Sequence, residues 1–268
     1  MAKYICSFSG GKDSTAMLLL LLEQNKPIDE VVFFDADSWE FPEMTDHINR
    51  VEKYTGVKIT RLQPKKSFDY WFSEHILQKG KRAGTVGYGF PSMTRRWCTR
   101  EKIRTINNYI GKHEAVYIGY AFDEKYRVKK QETKAKNAIY PLIENEMTEK
   151  QALAMCYEHG FDWGGLYQYF NRVSCWCCPM QRTSELRKLY HIHPELWVRL
   201  QEMQNISWNS FKMDYTRIED FAKRFEAEKL QLSLFSNCFE KAKAGRQKIN
   251  YGQISTNVDS KSKCSTCS

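Results

Sequence analysis

The chain has 268 residues, of which 42% are hydrophobic and 27% are charged. A chain of this length and composition can bury a substantial core, which excludes disorder throughout. Its formal net charge is +9, from 41 basic and 32 acidic residues. The apolar run Met17–Leu22 is far shorter than the roughly 18 residues that a membrane-spanning helix needs. The segment Met1–Cys6 carries no secretory signal, so we expect a cytoplasmic protein without a membrane partner.

Strands and helices alternate along the first half of the chain. The predicted strands are Tyr4–Phe8, Val31–Asp35, Val57–Leu62 and Ala115–Gly119, and the predicted helices are Asp13–Glu23, Glu43–Tyr54 and Cys98–Tyr109. This alternation predicts an α/β fold, in which a parallel sheet carries helices on both faces. Ligands of such sheets bind beyond the carboxyl ends of the strands. We therefore expect the site at Ser9–Ser14 and at Asp35–Trp39, since each segment follows a strand.

The second half of the chain is predicted to be mostly helical. Its predicted helices are Glu149–His159, Ser184–Tyr190, Pro194–Gln204 and Arg217–Leu230. After about Phe239 apolar residues become scarce, which is typical of a flexible tail. We therefore predict an α/β domain over residues 1–145, a helical part that carries a cysteine cluster over 146–238, and a flexible tail over 239–268.

The turn after the first strand, Ser9-Gly-Gly-Lys-Asp-Ser14, has the composition of a phosphate-binding loop. Gly10 and Gly11 allow a close backbone approach, and the N–H groups at a helix start attract anions. Lys12 adds a positive charge, and the two serine hydroxyls add hydrogen bonds. The spacing is not that of a Walker A loop. A tight turn with Asp13 as the helix N-cap is the alternative interpretation.

The longer segment Ser7-Phe-Ser-Gly-Gly-Lys-Asp-Ser-Thr15 resembles the pyrophosphate-binding loop of the PP-loop superfamily, and in particular the phosphoadenosine phosphosulfate (PAPS) reductase-like family. The similarity covers roughly residues 4–180 and continues through Val31–Asp37, Glu40–Met44, Gly119–Glu124 with Arg127, and Tyr140–Ile143. The resemblance implies a Rossmann-like sheet, so that the domain over 1–145 binds an adenine nucleotide.

The resemblance also implies a set of site residues. Those near the nucleotide are Ser7, Ser9, Gly10, Gly11, Lys12, Asp13, Ser14, Asp35, Gly119 and Arg127, and the catalytic ones are Lys12, Asp13 and Asp37. The implied ligand is ATP with Mg²⁺, or a sulfonucleotide, either PAPS or adenosine phosphosulfate (APS). For Asp37 the alternative is a solvated loop carboxylate, because acidic side chains are mostly exposed.

The superfamily commonly splits ATP between its α and β phosphates and thereby activates a substrate as an adenylate. On this basis we expect an adenylating enzyme that uses the adenylate for sulfur transfer, and a sulfur donor protein is then an expected partner. The reductase branch of the family instead reduces a sulfonucleotide, so a PAPS or APS reductase is the alternative.

Nine cysteines are present, and three of them crowd into Cys175-Trp-Cys177-Cys178. A Cys-x-x-Cys spacing lets Cys175 and Cys178 reach one metal centre, and thiolates suit zinc or iron–sulfur clusters. Cys98 is the predicted third ligand and Cys177 an optional fourth. The expected cofactor is a [4Fe–4S] cluster, with zinc as the alternative, while buried structural cysteines would need no metal.

One position departs from the layout of iron–sulfur sulfonucleotide reductases, which carry a tandem Cys-Cys pair. Trp97 stands where the first cysteine of that pair is expected. The terminal pair, Cys264 and Cys267, suits a mobile redox or sulfur-relay role or no role at all. A set of aromatic residues near a helix–loop junction could stack on a base, although such residues more often pack in the core. They are Trp163, Tyr167, Tyr169, Phe170 and Trp176.

Basic residues are concentrated in two stretches. The first, between Lys79 and Arg104, contains Lys79, Lys81, Arg82, Arg95, Arg96, Arg100, Lys102 and Arg104, and the second, Lys125–Lys136, contains Arg127, Lys129, Lys130 and Lys134. Such fields attract polyphosphates or nucleic acid, although a solvated basic surface is the simpler interpretation. The expected acceptor is therefore a nucleic acid, tRNA or DNA. A non-catalytic nucleic-acid-binding protein with a metal site is the third hypothesis.

Overall fold

The computed structural model describes residues 3–128, 137–173 and 175–231. The chain divides into two compact units, Met1–Phe221 and Ala222–Ser268, and the fold and site below belong to the first. The predicted tail over 239–268 lies outside the described residues. So do the cysteines and lysines Cys238, Cys264, Cys267, Lys129, Lys130 and Lys134. The division into domains at 145 and 238 stays a prediction.

The centre of the first unit is a five-stranded parallel sheet. Its strands are β1 (Tyr4–Phe8), β2 (Glu30–Phe34), β3 (Ile59–Leu62), β4 (Ala115–Ile118) and β5 (Ala138–Ile139), in the order β3-β2-β1-β4-β5. In register, Cys6 of β1 lies beside Val31 of β2 and Tyr117 of β4. Val31–Phe34 is buried throughout, as a strand covered on both faces must be. The predicted α/β fold with a parallel sheet is confirmed, and β5 is an additional two-residue strand.

Helices surround this sheet and continue through the second half of the described chain. They are α1 (Lys12–Glu23), α2 (Pro42–Thr55), α3 (Trp97–Ile110), α4 (Pro141–Glu144), α5 (Glu149–Glu158), α6 (Leu166–Tyr169), α7 (Thr183–Ile192) and α8 (Pro194–Ile206). A last described helix, α9 (218–231), begins in the first unit and ends in the second. No helix of the described residues has the length and apolarity needed to cross a membrane.

Local sequence signals explain where the helices that carry the site begin and end. Met17–Leu21 is buried in α1, which packs against α5. Pro42 occupies the first turn of α2, where its missing N–H has no cost, and Gly56 ends that helix at φ +67°. A capping box between Thr148 and Gln151 starts α5. These boundaries bring the starts of α1, α2 and α5 to the region of the first turn.

The segment between β3 and α3 has little regular structure, apart from a short π-helical turn at Tyr70–Glu74. Aromatic side chains hold it to the rest of the unit. Trp39 packs edge-on against Phe68, Phe72 and Trp97, with ring centroids 5.5–5.6 Å apart. This aromatic cluster fixes the start of α3, and therefore the position of Cys98, relative to the residues that follow β2.

Candidate functional site

The loop Ser9–Gly11 joins β1 to α1 at the carboxyl end of the central strand. The strands β2 and β4 lie on opposite sides of β1, and ligands of α/β sheets bind at such a switch point. Gly10 adopts φ +77°, and a Cβ there would lie 2.8 Å from the sulfur of Met44. The loop therefore requires glycine for its conformation and for its contact with α2.

The end of β4 also approaches the loop closely. A Cβ on Gly119 would lie 3.0 Å from Cα of Ser14 and 3.1 Å from the carbonyl oxygen of Asp13. Ser7 lies on β1, where it pairs in register with Ile118 of β4. The structure thus brings together Ser7, the loop and Gly119, which were predicted to lie near the nucleotide.

Backbone N–H groups of the loop are available to a ligand. No hydrogen bond within the described residues engages the N–H groups of Gly10, Gly11, Asp13 or Ser14. They lie at the start of α1, where the helix dipole attracts anions. The Ser14 hydroxyl donates to the Gly11 carbonyl at 3.0 Å and accepts from the Ser9 N–H at 3.1 Å. The serines therefore hold the loop in shape.

Lys12 forms a charged group with two carboxylates. Its Nζ lies 2.7 Å from Glu149 Oε2 and 3.3 Å from Asp13 Oδ2, and its side chain is only 10% exposed. Burial raises the pKa of Asp13 to about 6, although the positive charge of Lys12 opposes this. Asp13 Oδ1 is buried and has no hydrogen-bond partner among the described residues. This oxygen is free to receive a cation or a proton.

Burial acts in the opposite direction on Lys12, whose pKa it lowers, but the charges of Asp13 and Glu149 outweigh it and leave the pKa raised. The ammonium group is therefore charged at neutral pH, as a phosphate-binding lysine must be. Glu149 begins α5, far along the chain from the loop. It was not predicted as a site residue because no motif surrounds it.

Two aromatic side chains from the helical part form hydrogen bonds to the backbone of the loop and of the first turn of α1. Trp163 Nε1 donates to the Gly10 carbonyl at 2.7 Å, and the Tyr167 hydroxyl accepts the Lys12 N–H at 2.9 Å. Trp163 is fully buried in the core, whereas Tyr167 is half-buried. Their contact with the loop was not predicted, because sequence separation conceals it.

His47 completes this support and is fully buried. Its Nε2 lies 3.0 Å from the Thr15 hydroxyl, and its ring stacks on Trp163 with centroids 4.2 Å apart. Burial, helped by the positive charge of Arg50, lowers the pKa of His47 to about 3, while Asp162 opposes the shift. The imidazole is therefore neutral at pH 7 and adds no positive charge beneath the loop.

The acidic segment after β2 forms a separate group. Asp35 Oδ1 accepts the Asp37 N–H at 2.8 Å, and Asp37 adopts the left-handed φ +52°. Within the described residues, neither carboxylate forms a hydrogen bond or ion pair with Lys12. Glu40 is an unpredicted member of this group, since burial raises its pKa to about 7 and Lys102 opposes the shift.

Arg127 is held by its neighbours. Its guanidinium donates to both carboxylate oxygens of Glu124, at 2.7 and 2.8 Å, and lies 4.1 Å from the ring centroid of Tyr120. Tyr120 in turn stacks on Tyr140 at 5.8 Å. Tyr120 and Arg127 follow β4 and Tyr140 follows β5, at the same end of the sheet as the loop.

The cysteine turn, Cys175–Cys178, packs against the segment after β2. The Cys178 N–H donates to the Cys175 carbonyl at 3.2 Å. Trp176 donates through its Nε1 to the Ser38 carbonyl at 2.9 Å. Cys98 lies in the first turn of α3. Cys98, Cys175 and Cys178 are close enough to interact electrostatically. Burial raises the pKa of each of the three thiols.

The three predicted metal ligands, Cys98, Cys175 and Cys178, are thiols that lie near one another. Three neighbouring thiols have the donor chemistry of zinc and iron–sulfur sites. In the part of the chain that the structure describes, however, no three His, Cys, Asp or Glu side chains are arranged to hold one metal ion. Cys177 is fully buried, and burial raises its pKa well above the usual value. The role of these thiols as metal ligands therefore stays a prediction.

Comparisons with known proteins identify the family of the chain. Residues 3–181 match the model of the phosphoadenosine phosphosulfate reductase domain, a family of the PP-loop superfamily. Two relatives from Methanocaldococcus jannaschii are the uncharacterized proteins MJ0066, 28% identical over 74% of this chain and 40% of its own length, and MJ0973, 27% identical over 71% and 45%. The chain thus spans less than half the length of these curated relatives. Because the family model covers most of the chain, the protein belongs to the phosphoadenosine phosphosulfate reductase domain family of nucleotide-binding PP-loop proteins.

Proposed function

We propose that the protein binds ATP on the Ser9–Ser14 loop and cleaves it between the α and β phosphates to adenylate a substrate. The observation that carries this proposal is the group of unengaged N–H donors at the start of α1, beside a buried and charged lysine. Donors of this kind bind phosphate oxygens, and the macrodipole of α1 adds to the attraction. Membership of the family supports a nucleotide as the ligand.

In the adenylation step, an oxygen of the substrate attacks the α phosphorus of ATP. The bond from that phosphorus to the bridging oxygen breaks, and pyrophosphate leaves with the bond electrons. The loop N–H groups and Lys12 are placed to stabilise the negative charge on the departing pyrophosphate. Asp13 has the unsatisfied oxygen that would hold a Mg²⁺ ion on the phosphates, which supplies further charge neutralisation.

We further propose that the adenylated substrate is a nucleic acid, the acceptor of sulfur from a donor protein. Sulfur delivered at the oxidation level of sulfide attacks the atom that bears the adenylate, the bond from that atom to the adenylate oxygen breaks, and AMP leaves. The support is the position of Cys98, Cys175 and Cys178, which lie close together and pack on the segment after β2. Asp37 belongs to that segment and stays a proposed catalytic residue. A [4Fe–4S] cluster or zinc on these cysteines, with or without Cys177, is tested by iron, sulfide and zinc analysis after anaerobic purification.

The first experiment measures pyrophosphate release from ATP, and ATP affinity by calorimetry, for the full chain and for Lys12→Ala. We expect Lys12→Ala to lose at least tenfold in ATP affinity, since a charged hydrogen bond to phosphate contributes about 1.5–3 kcal/mol. Lys150→Ala is the matched control, because Lys150 is exposed and adjoins Glu149 at the start of α5. Equal ATP affinity in the two variants would contradict the proposed role of the loop.

A sulfonucleotide reductase is the second candidate, favoured by the name of the matching family model. It predicts sulfite release from PAPS or APS in the presence of a thiol reductant, and no pyrophosphate from ATP. Trp97 weighs against this candidate, since it is 2% exposed and donates through Nε1 to the Gly89 carbonyl at 3.0 Å. A core tryptophan therefore stands where iron–sulfur reductases resembling this chain carry a cysteine. Parallel assays for sulfite and pyrophosphate separate the two candidates.

A further inference from the structure

A basic groove lies apart from the nucleotide loop and has no role in the adenylation step. It has a volume of about 780 Å³, and Arg82, Arg95 and Trp208 line it together with the residues that follow Trp208. A second hollow of about 290 Å³ shares Arg82 and Arg95, and is lined also by Lys79, Lys81 and Arg100. The two hollows therefore form one continuous cationic surface, defined here as the Arg82–Arg95 groove.

Two guanidinium groups share one indole in this groove. The guanidinium carbon of Arg82 lies 3.8 Å from the ring centroid of Trp208, and that of Arg95 lies 4.7 Å from it. Among the described residues, no carboxylate lies within salt-bridge distance of either arginine. Burial and the charge of Arg82 both lower the pKa of Arg95. The groove is also lined by Asp214 and Lys212. Two arginines held together without a carboxylate in contact with either indicate a site for an anion.

The groove also offers aromatic and apolar surface. Trp208 is fixed by its Nε1, which donates to the Gly87 carbonyl at 3.0 Å. Tyr215 is 85% exposed, and Met180 and Met213 are also exposed at the groove. A simple inorganic anion makes no use of flat aromatic faces, and an acidic peptide does not carry a flat ring beside each of its charges. A polynucleotide does, because its phosphates pair with arginine while its bases stack on aromatic rings.

The exposed rings favour a single strand over a duplex. Bases of a duplex are stacked on one another and cannot reach Tyr215, whereas unpaired bases can turn outward. The groove also adjoins the cysteine turn, since Pro179 and Met180 line it directly after Cys178. Lys212 links the two features, because its Nζ donates to the carbonyls of Pro179 and Gln181. A strand in the groove would therefore pass beside the cysteines.

We propose that the Arg82–Arg95 groove binds a single-stranded segment of nucleic acid and presents it to the cysteine turn as the acceptor. The acceptor role rests on the proposed function, whereas strand binding does not. Loss of the Arg82 and Arg95 charges should therefore weaken binding of all sequences alike, since phosphate contacts carry no sequence information.

The test measures Kd by fluorescence anisotropy, without ATP, over a series of salt concentrations. The probes are labelled single-stranded RNA and DNA oligonucleotides of mixed sequence and the matching duplex. The double variant Arg82→Ala/Arg95→Ala is compared with Lys53→Ala/Lys58→Ala, which removes two exposed lysines far from the groove in sequence. We expect the arginine variant to bind at least tenfold more weakly. Its slope of log K against log salt should also fall by about 1.4, because each phosphate contact contributes about 0.7.

The role of Trp208, whose ring holds the two guanidinium groups, is tested by replacing it. Trp208→Phe keeps an aromatic face for Arg82 and Arg95 and should bind within about twofold of the wild type, whereas Trp208→Ala releases both arginines and should lose about fivefold or more. Circular dichroism and melting temperature identify any variant that fails to fold, and in that case Trp208→Phe and the arginine pair decide the question. Equal affinity of the arginine and lysine double variants, or binding of the duplex alone, would overturn the proposal.

The same assay distinguishes failure of this inference from failure of the proposed function. Lys12→Ala should bind the strand with unchanged affinity, since Lys12 lies at the nucleotide loop. If the strand binds in the groove but the full chain releases no pyrophosphate from ATP, the proposed chemistry and the acceptor role are wrong. The binding site then stands. If pyrophosphate is released but the strand does not bind at low salt, the groove is not the acceptor site.

Discussion

Acidification should destabilise the protein through His47, the buried imidazole beneath the Ser9–Ser14 loop. Burial lowers its pKa from 6.5 to about 3, so the folded state binds fewer protons than the unfolded state between these values. The stabilisation due to the neutral ring is fully present above pH 6.5 and is lost as the pH falls toward 3. The two pKa values give a loss of about 2 kcal/mol between about pH 7.5 and about pH 5.

The assay is urea unfolding at several pH values, on the wild type and on His47→Gln. Glutamine keeps an amide that can bond to the Thr15 hydroxyl, and it does not titrate. Asp13 and Glu40 have raised pKa values, of about 6 and about 7. Their contributions to the free energy of unfolding therefore increase as the pH falls. Because both proteins contain them, their effect cancels in the difference.

We expect the stability advantage of the wild type over His47→Gln to shrink by about 2 kcal/mol between about pH 7.5 and about pH 5. Titration of the His47 ring by NMR should also show no protonation near pH 6.5. If the difference between the two proteins stays constant with pH, His47 is not buried as a neutral ring, and the description of the loop support is wrong.

Three further substitutions test the loop. Gly119→Ala places a Cβ 3.0 Å from the first turn of α1 and should cost about 1–3 kcal/mol of stability; an unchanged urea midpoint would contradict the close approach. Trp163→Phe removes the hydrogen bond to the Gly10 carbonyl and should cost about 1 kcal/mol and weaken ATP binding, measured by calorimetry. Glu149→Gln removes a partly exposed carboxylate from Lys12 and should tighten ATP binding about threefold, in line with a contribution of about 0.2–1 kcal/mol; weaker binding would show that Glu149 helps the nucleotide instead.

Most of the sheet and helices could be predicted because their signals are local. Tyr4–Phe8 was predicted with both ends correct, and the apolar run after Asp13 predicted α1. The strand β5 has only two residues, Ala138 and Ile139, which is too short to show any periodicity. Its existence depends on pairing with β4, so only the assembled sheet could reveal it.

The residues that support the loop were out of reach for a different reason. Trp163, Tyr167 and Glu149 contact the loop across more than a hundred residues, and nothing near them in the chain marks that contact. In the same way, the sequence shows Arg82 and Arg95 only as members of a basic stretch. Their stacking on Trp208 depends on the tertiary structure.

The sequence by itself determined the α/β fold and the glycine turn between β1 and α1, because strand, turn and helix preferences act over a few neighbouring residues. Tertiary structure alone decided that Lys12 pairs with Glu149, that His47 is neutral beneath the loop, and that two arginines share one indole. Charge state and contact depend on burial and on neighbours brought from distant parts of the chain, and these exist only once the chain has packed.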